Sequence, residues 1–247
     1  MKNIIYILTV VILLGCNSSN APDCFQNAGD IIQQEVVVPE FTKITSFKNV
    51  ELFVSQGVTQ SVVVEIGEFL IDDIDIKVED DRLLIKDNNT CNLTRDYGIT
   101  KVYVTTPNLT EIRNSSTLDV HSLGILNFEN LKLLSEDYSG DFYNVGNFNI
   151  QVNCTDLLVV INNLTTTTIS GTVDNLRVTH ASGDGRFEGR QLIAQQVTIF
   201  HRGSNDIIVN PQLSLTANLV STGDVIAVNT PLSIDITEQF DGRVIFE

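Results

Sequence analysis

The stretch SGDGRFEGRQLIAQQVTIFHRGSNDIIVNPQLSLTANLVSTGD, residues 182–224, decides the fold. Its three corner glycines, Gly183, Gly203 and Gly223, are evenly spaced, and Gly242 continues the series. Two short segments rich in valine, isoleucine and leucine lie between successive glycines, and such residues favour strands. A fixed period of about 20 residues with strand-forming content alone is typical of a solenoid, whose stacked turns share one core. Residues 110–247 are therefore predicted to form a right-handed parallel β-helix with one such period per turn.

Glycine recurs in this pattern because a corner between strands needs either a positive φ or a close approach of two backbones. Gly203→Val is therefore expected to destabilise the fold, and the same change at Gly29, outside the repeat, to be milder. The alternative fold is an antiparallel sandwich, which needs two-residue Asn-Gly or Asp-Gly turns. Only Asp241-Gly242 has that form. Upstream, short alternating segments between residues 36 and 104 predict a strand-rich N-terminal portion.

The N-terminus carries an export signal. Lys2 precedes an apolar run from Ile4 to Leu14, which is too short to span a bilayer, and Gly15 precedes Cys16. The sequence resembles a bacterial lipobox, in which the cysteine thiol receives the lipid and the chain is cut before it. A plain signal peptide followed by a chance cysteine is the alternative. We interpret residues 1–15 as the signal peptide, 16–36 as a lipidated tether and lead-in segment, and 37–247 as the folded domain.

Charge limits the partners of the mature chain. Cleavage before Cys16 removes Lys2 and leaves 14 basic against 31 acidic residues, a net charge of −17. Nucleic acids and anionic headgroups both prefer basic surfaces, so the charge argues against either as a partner. The membrane is therefore expected to be reached through the lipid on Cys16.

Three cysteines remain after lipidation. An exported chain meets an oxidising compartment, so one disulfide and one free thiol are expected. Cys24 and Cys91 lie in polar, turn-rich surroundings, whereas Cys154 follows an alternating apolar run and is expected in the core. The predicted disulfide is Cys24–Cys91. No Cys/His spacing suggests a zinc site, and no cofactor is expected.

Several segments together resemble the head GIN domain family, whose members are regarded as auto-transporter adhesins of Gram-negative envelopes. The resemblance covers roughly residues 37–245. It implies a binding or structural role, without an established reaction. The segments that carry it are the lipobox, Cys24–Asp30, Val38–Phe41 with Ile44, Val50–Gly57, Val64-Glu65 to Asp72, Lys101–Val104 to Leu109, and the Gly183, Gly203 and Gly223 corners.

The densest cluster of polar residues lies at the repeat corners. If the turns stack, His201, Arg202 and Asp206 would lie beside Asp184 on one neighbouring turn and Asp224 on the other, forming a surface site. The alternative is a corner ladder in which the acids accept hydrogen bonds from turn backbones. A catalytic cluster would concentrate its acids on one or two turns, whereas these recur once per turn. No catalytic residue and no metal ligand is therefore predicted, although a weak calcium site along the acidic column stays open.

A second polar segment, residues 136–143, pairs acids with aromatic residues, and it suits either a recognition loop or a corner whose rings fill a gap. The lipobox and the head GIN resemblance together imply a lipid-anchored, adhesin-like outer-membrane protein of a Gram-negative bacterium, periplasmic or surface-exposed, and the residues predict no catalysis. Its ligand would be an envelope polysaccharide or protein, and self-association stays open. The alternative is a polysaccharide lyase or hydrolase on the same scaffold.

Overall fold

The protein is all-β, as predicted. A computed structural model describes residues 23–89, 91–93, 95–136 and 145–247. Within these ranges it contains strands and two short 3-10 helices, Asp23–Phe25 and Ile71–Asp73, but no α-helix. The strands, all in one curled sheet, are β1 Ile31–Glu35, β2 Lys43–Phe47, β3 Glu51–Gln56, β4 Ser61–Gly67, β5 Ile74–Glu79, β6 Arg82–Asp87, β7 Lys101–Thr106, β8 Glu111–Ser115, β9 Val120–Leu126, β10 Asn130–Ser135, β11 Phe148–Asn163, β12 Thr166–Gly183, β13 Arg186–His201, β14 Ile207–Leu219, β15 Val225–Ala227, β16 Ser233–Glu238 and β17 Val244–Phe246.

The C-terminal half consists of strands that pair in parallel with the next turn of chain. Val159 of β11 lies opposite Val178 of β12, which lies opposite Ile199 of β13. The chain thus advances by one turn, about 20 residues, for each step across the sheet. An antiparallel sandwich is incompatible with this pattern, because every pairing among β8–β17 is parallel.

The parallel strands form two columns. The first column contains β6, β2, β8, β10, the later halves of β11–β14, and β16. The second contains β7, β3, β9, the earlier halves of β11–β14, β15 and β17. Alternate side chains of both columns are buried, and they meet in one continuous apolar core that runs through both halves of the chain.

The N-terminal turns do not follow chain order. β2 and β3 lie between β6 and β7 on one side and β8 and β9 on the other, so a later part of the chain occupies the outermost parallel positions. Outside the parallel strands β6 and β7, β5 pairs antiparallel with β6, and β4 pairs antiparallel with β7 and β1. These antiparallel strands cover an edge that would otherwise expose unpaired backbone groups.

The repeat glycines serve the corners in two different ways. Gly183 has a positive φ of 95°, whereas Gly203, Gly223 and Gly242 do not have a positive φ. At Gly203 the constraint is space, because an added Cβ would lie 1.9 Å from Cε1 of His180. At Gly203, Gly223 and Gly242 glycine is therefore favoured because a neighbouring atom lies too close for a side chain. At Gly183 the left-handed backbone also favours glycine.

The predicted disulfide is present. Cys24 and Cys91 are joined with an Sγ–Sγ distance of 2.02 Å, and Cys154 is a free, buried thiol. Burial raises the pKa of the Cys154 thiol to about 11, which keeps it protonated and unreactive at neutral pH. The bridge ties the segment before β1 to the connection between β6 and β7.

Candidate functional site

The residues of the predicted corner site lie on opposite faces of the sheet. His201 lies inside, 1% exposed, and stacks on buried His180 with 5.2 Å between ring centroids. This differs from the expected surface position, because the strand alternation of β13 points His201 into the core with Ile199. The other predicted residues lie outside: Arg202 and Asp184 are exposed, and Asp206 and Asp224 are half-buried.

The three corner acids accept hydrogen bonds from the neighbouring turn. Ser204 Oγ donates to Asp184 over 2.8 Å, and the backbone N–H of Arg243 donates to Asp224 over 2.8 Å. The guanidinium of Arg186 lies 3.1 Å from Asp206. Each contact links residues one turn apart, so the geometry matches the corner ladder.

The buried histidines are poor proton carriers at neutral pH. Burial lowers the pKa of His180 to about 4, with the nearby His201 adding to the effect, and burial also lowers the pKa of His201. In the described ranges no group of three or more His, Cys, Asp or Glu side chains is placed to hold a metal ion. The outside of the corner therefore carries hydrogen-bonded acids and arginines, and the inside carries the neutral imidazoles of His180 and His201.

A second polar surface was missed by the sequence reading. On the outside of the turns, Asn153 Nδ2 donates to Asn127 Oδ1 over 3.1 Å, and Thr172 Oγ1 donates to Asn153 Oδ1 over 2.8 Å. One corner further along the chain, Asn175 Nδ2 donates to Asp156 Oδ1 over 3.0 Å. In the sequence, this polar surface is indicated by polar residues that lie 19 residues apart at outward-facing strand positions.

These side chains line three adjoining surface concavities of about 390, 310 and 420 Å³. The first two share Asn127, and the last two meet where Thr155 and Asp156 are consecutive. We call these three concavities together the axial groove, because each of them crosses several turns. It is lined by Gln56, Val58, Pro107, Ile125, Asn127, Glu129, Asn153, Thr155, Asp156, Leu158, Thr172, Asp174, Asn175, Arg177, Gln195, Gln196 and Thr198, among others.

Two predicted features fall outside the described ranges. Cys16 and the signal peptide precede residue 23, and of the acidic–aromatic segment 136–143 only Glu136 is described. Glu136 Oε1 lies 3.0 Å from Arg113 Nη1 on the outer face of the first column. Across the described chain, no helix is long and apolar enough to cross a membrane.

Comparison with known proteins decides the family. The family model "Putative auto-transporter adhesin, head GIN domain" matches residues 40–231. The chain belongs to the head GIN domain family. The resemblance seen in the sequence is thereby confirmed over most of the strands that build both columns, while no protein of curated function matches.

Solved structures share this head GIN fold at low sequence identity. A putative adhesin from Bacteroides fragilis NCTC 9343 is 22% identical with a TM-score of 0.78, over 88% of this chain and 97% of that chain. A putative lipid binding protein from Parabacteroides distasonis ATCC 8503 is 17% identical with a TM-score of 0.63, over 88% and 97%. A putative adhesin from Parabacteroides merdae ATCC 43184 is 15% identical with a TM-score of 0.58, over 89% and 97%.

Proposed function

We propose that this head GIN protein is a lipid-anchored outer-membrane protein whose role is binding, without catalysis. The family match over residues 40–231 carries the binding role, since the family is described as adhesins. The ligand would be an envelope polysaccharide or protein, or a second copy of the chain. The formal net charge of −16 for the whole sequence continues to argue against nucleic acid.

The placement of the strands determines which end of the sheet an anchor on Cys16 would hold. Among the described strands β1 pairs only with β4, at the end of the sheet opposite β16 and β17. Cys24 follows Cys16 by eight residues, which reach at most about 28 Å. A lipid on Cys16 would hold the β1 end of the sheet near the membrane and direct the C-terminal turns away from it.

For the fold we propose the right-handed parallel β-helix over residues 110–247. The parallel register, which shifts by one turn at each strand, and the two columns around one core support it. Right-handed crossover is the rule when parallel strands of one sheet are connected. Such a body is rigid along its axis, which suits the display of a binding face.

The alternative of a lyase or hydrolase is less well supported by the corner acids. Glycoside hydrolysis needs two carboxylates that face each other across the substrate. Asp184, Asp206 and Asp224 instead lie one per turn along the corner, and each accepts a hydrogen bond or ion pair from a neighbouring turn.

Anchoring is tested by Cys16→Ser. We expect this variant to be exported but to appear in the soluble fraction, because several acyl chains anchor a protein nearly permanently and their loss leaves nothing comparable. Membrane fractionation followed by a salt wash measures the partition. Ser18→Ala, which keeps the acceptor cysteine, should stay with the membrane. Retention of the Cys16→Ser variant in washed membranes would refute the lipid anchor.

Absence of catalysis is tested with purified polysaccharides. Incubation of the detergent-solubilised full chain with polygalacturonate, dextran or xylan is expected to release no shorter chains, measured as new reducing ends and as absorbance of unsaturated sugars. Release that disappears in Asp206→Asn would establish the enzyme alternative.

A further inference from the structure

We propose that the axial groove binds one extended, neutral polysaccharide chain that lies across the turns. This inference rests on the proposed binding function and assigns it a site and a ligand class. The first two concavities cross β3, β9, β11, β12 and β13, which are successive neighbours in the second column. The third concavity lies beside the second one, on the first-column halves of β11–β13, so the groove spans five neighbouring strands. At a strand spacing of about 4.8 Å it is about 19 Å long, enough for a run of several sugar rings.

The chemistry of the lining favours hydroxyl groups. Asn153, Asn175 and Gln196 are amides on the outer face, each of which offers both a donor and an acceptor, as a sugar hydroxyl does. Asn175 lies opposite Gln196 on the next turn, whereas Asn153 lies opposite Thr172, so side chains that offer both a donor and an acceptor recur on neighbouring turns. A polymer of repeating units would meet a repeating set of partners.

The charges of the lining favour an uncharged polymer. Glu129, Asp156 and Asp174 are exposed acids, against the single exposed cation Arg177 in the mapped lining of the groove. Carboxylates at this density repel a polyanion, which excludes nucleic acid and disfavours uronic-acid polymers.

A polypeptide ligand fits less well. Extended peptides are bound by adding a strand to a free sheet edge, or by pockets for particular side chains. The strands under the groove are paired on both sides along most of its length, so their backbone groups are already in use. Recognition must come from the amide, hydroxyl and carboxylate side chains.

One end of the groove is apolar. Val58 is 95% exposed and Ile125 is 56% exposed, and with Pro107 they line the concavity that ends at Gln56 and Asn127. The apolar face of a sugar ring packs against such a surface, as it does against an aromatic ring. This end therefore supplies contact area that the amides lack.

The test measures binding of the full chain, solubilised in detergent, to immobilised dextran, mannan, starch, xylan, polygalacturonate and gelatin. We expect retention on at least one neutral polysaccharide and none on polygalacturonate or gelatin. Asn153→Ala combined with Asn175→Ala should weaken this retention about tenfold, since each lost hydrogen bond weakens binding several-fold. Asn149→Ala combined with Asn210→Ala changes two amides outside the groove and should bind as the parent does.

Three results would overturn the proposal: retention on no neutral polysaccharide, retention on polygalacturonate or gelatin alone, or equal binding by the groove variant and the parent. A second measurement, binding of the parent to washed outer-membrane fragments, distinguishes failure of the groove proposal from failure of the proposed binding function. If the parent binds fragments and the groove variant binds them equally, the binding role stands and the groove is not its site. If the parent binds neither, both proposals fail.

Discussion

Gly203→Val should lower the free energy of unfolding by about 3 kcal/mol or more, because the corner has no room for a side chain. A Cβ on Gly203 would lie 1.9 Å from Cε1 and 2.2 Å from Nδ1 of the His180 ring. That ring is buried and stacked on His201, so it cannot move without disturbing the core. For a chain of this length such a loss corresponds to a fall of about 10 °C in Tm, measured by thermal or urea unfolding.

The control for Gly203 must separate lack of space from backbone strain. Gly29 does not serve, contrary to the expectation from the sequence, because its φ is +72° and a Cβ there would lie 2.5 Å from Glu68 Cγ. Gly124 serves better, since its φ is +92° but no described atom lies within 4 Å of an added Cβ. Gly124→Ala should cost about 1 kcal/mol from backbone strain alone, and Gly203→Ala should cost clearly more. Equal Tm values for Gly203→Val and the parent would refute the packing argument.

Acidification should destabilise the fold through His180. Its pKa lies at about 4 in the folded chain because it is buried, against the usual 6.5 of an exposed histidine. Well above pH 6.5 His180 is neutral in both states and contributes no pH dependence. As the pH falls from 6.5 to 4 only the unfolded chain takes up the proton, so about 3 kcal/mol of stability is lost over that range. His201, whose pKa is also lowered, acts in the same direction.

His180→Leu should flatten this pH dependence. Neither ring nitrogen of His180 has a hydrogen-bond partner among the described residues, so leucine removes the titrating group without leaving a polar atom unpaired. Urea unfolding at pH 7, 6, 5 and 4.5 measures the change. His121 is the matched control, because it lies half-buried on the outer face beside Glu51, and His121→Gln should keep most of the parental slope. A His180→Leu variant as sensitive to acid as the parent would show that other groups carry the effect.

The sequence was most informative where one physical requirement recurs at a fixed spacing. The evenly spaced corner glycines predicted the parallel pairing of β11–β14, and the polar surroundings of Cys24 and Cys91 predicted their disulfide. The family resemblance followed from the same segments.

Long-range order was not predictable from local patterns. Nothing in the alternation of β6 and β7 indicates that they lie outside β2 and β3, because pairing partners depend on the whole sheet. His201 was assigned to the surface from its polar neighbours, although the alternation Val197, Ile199, His201 places it inside. The axial groove escaped notice because its residues are ordinary exposed amides whose proximity depends on the stacking of the turns.

The displaced position of β2 and β3 has a consequence for how the chain reaches its native state. Lys43 must find Arg82 and Glu111, both several strands further along the chain, whereas each turn in the C-terminal half pairs with the very next one. Closing longer loops costs more chain entropy, and distant contacts form slowly. The C-terminal strands are therefore expected to pair first, although they leave the ribosome after β2 and β3. Until those strands have paired, β2 and β3 are expected to stay unpaired and exposed to proteases and to aggregation.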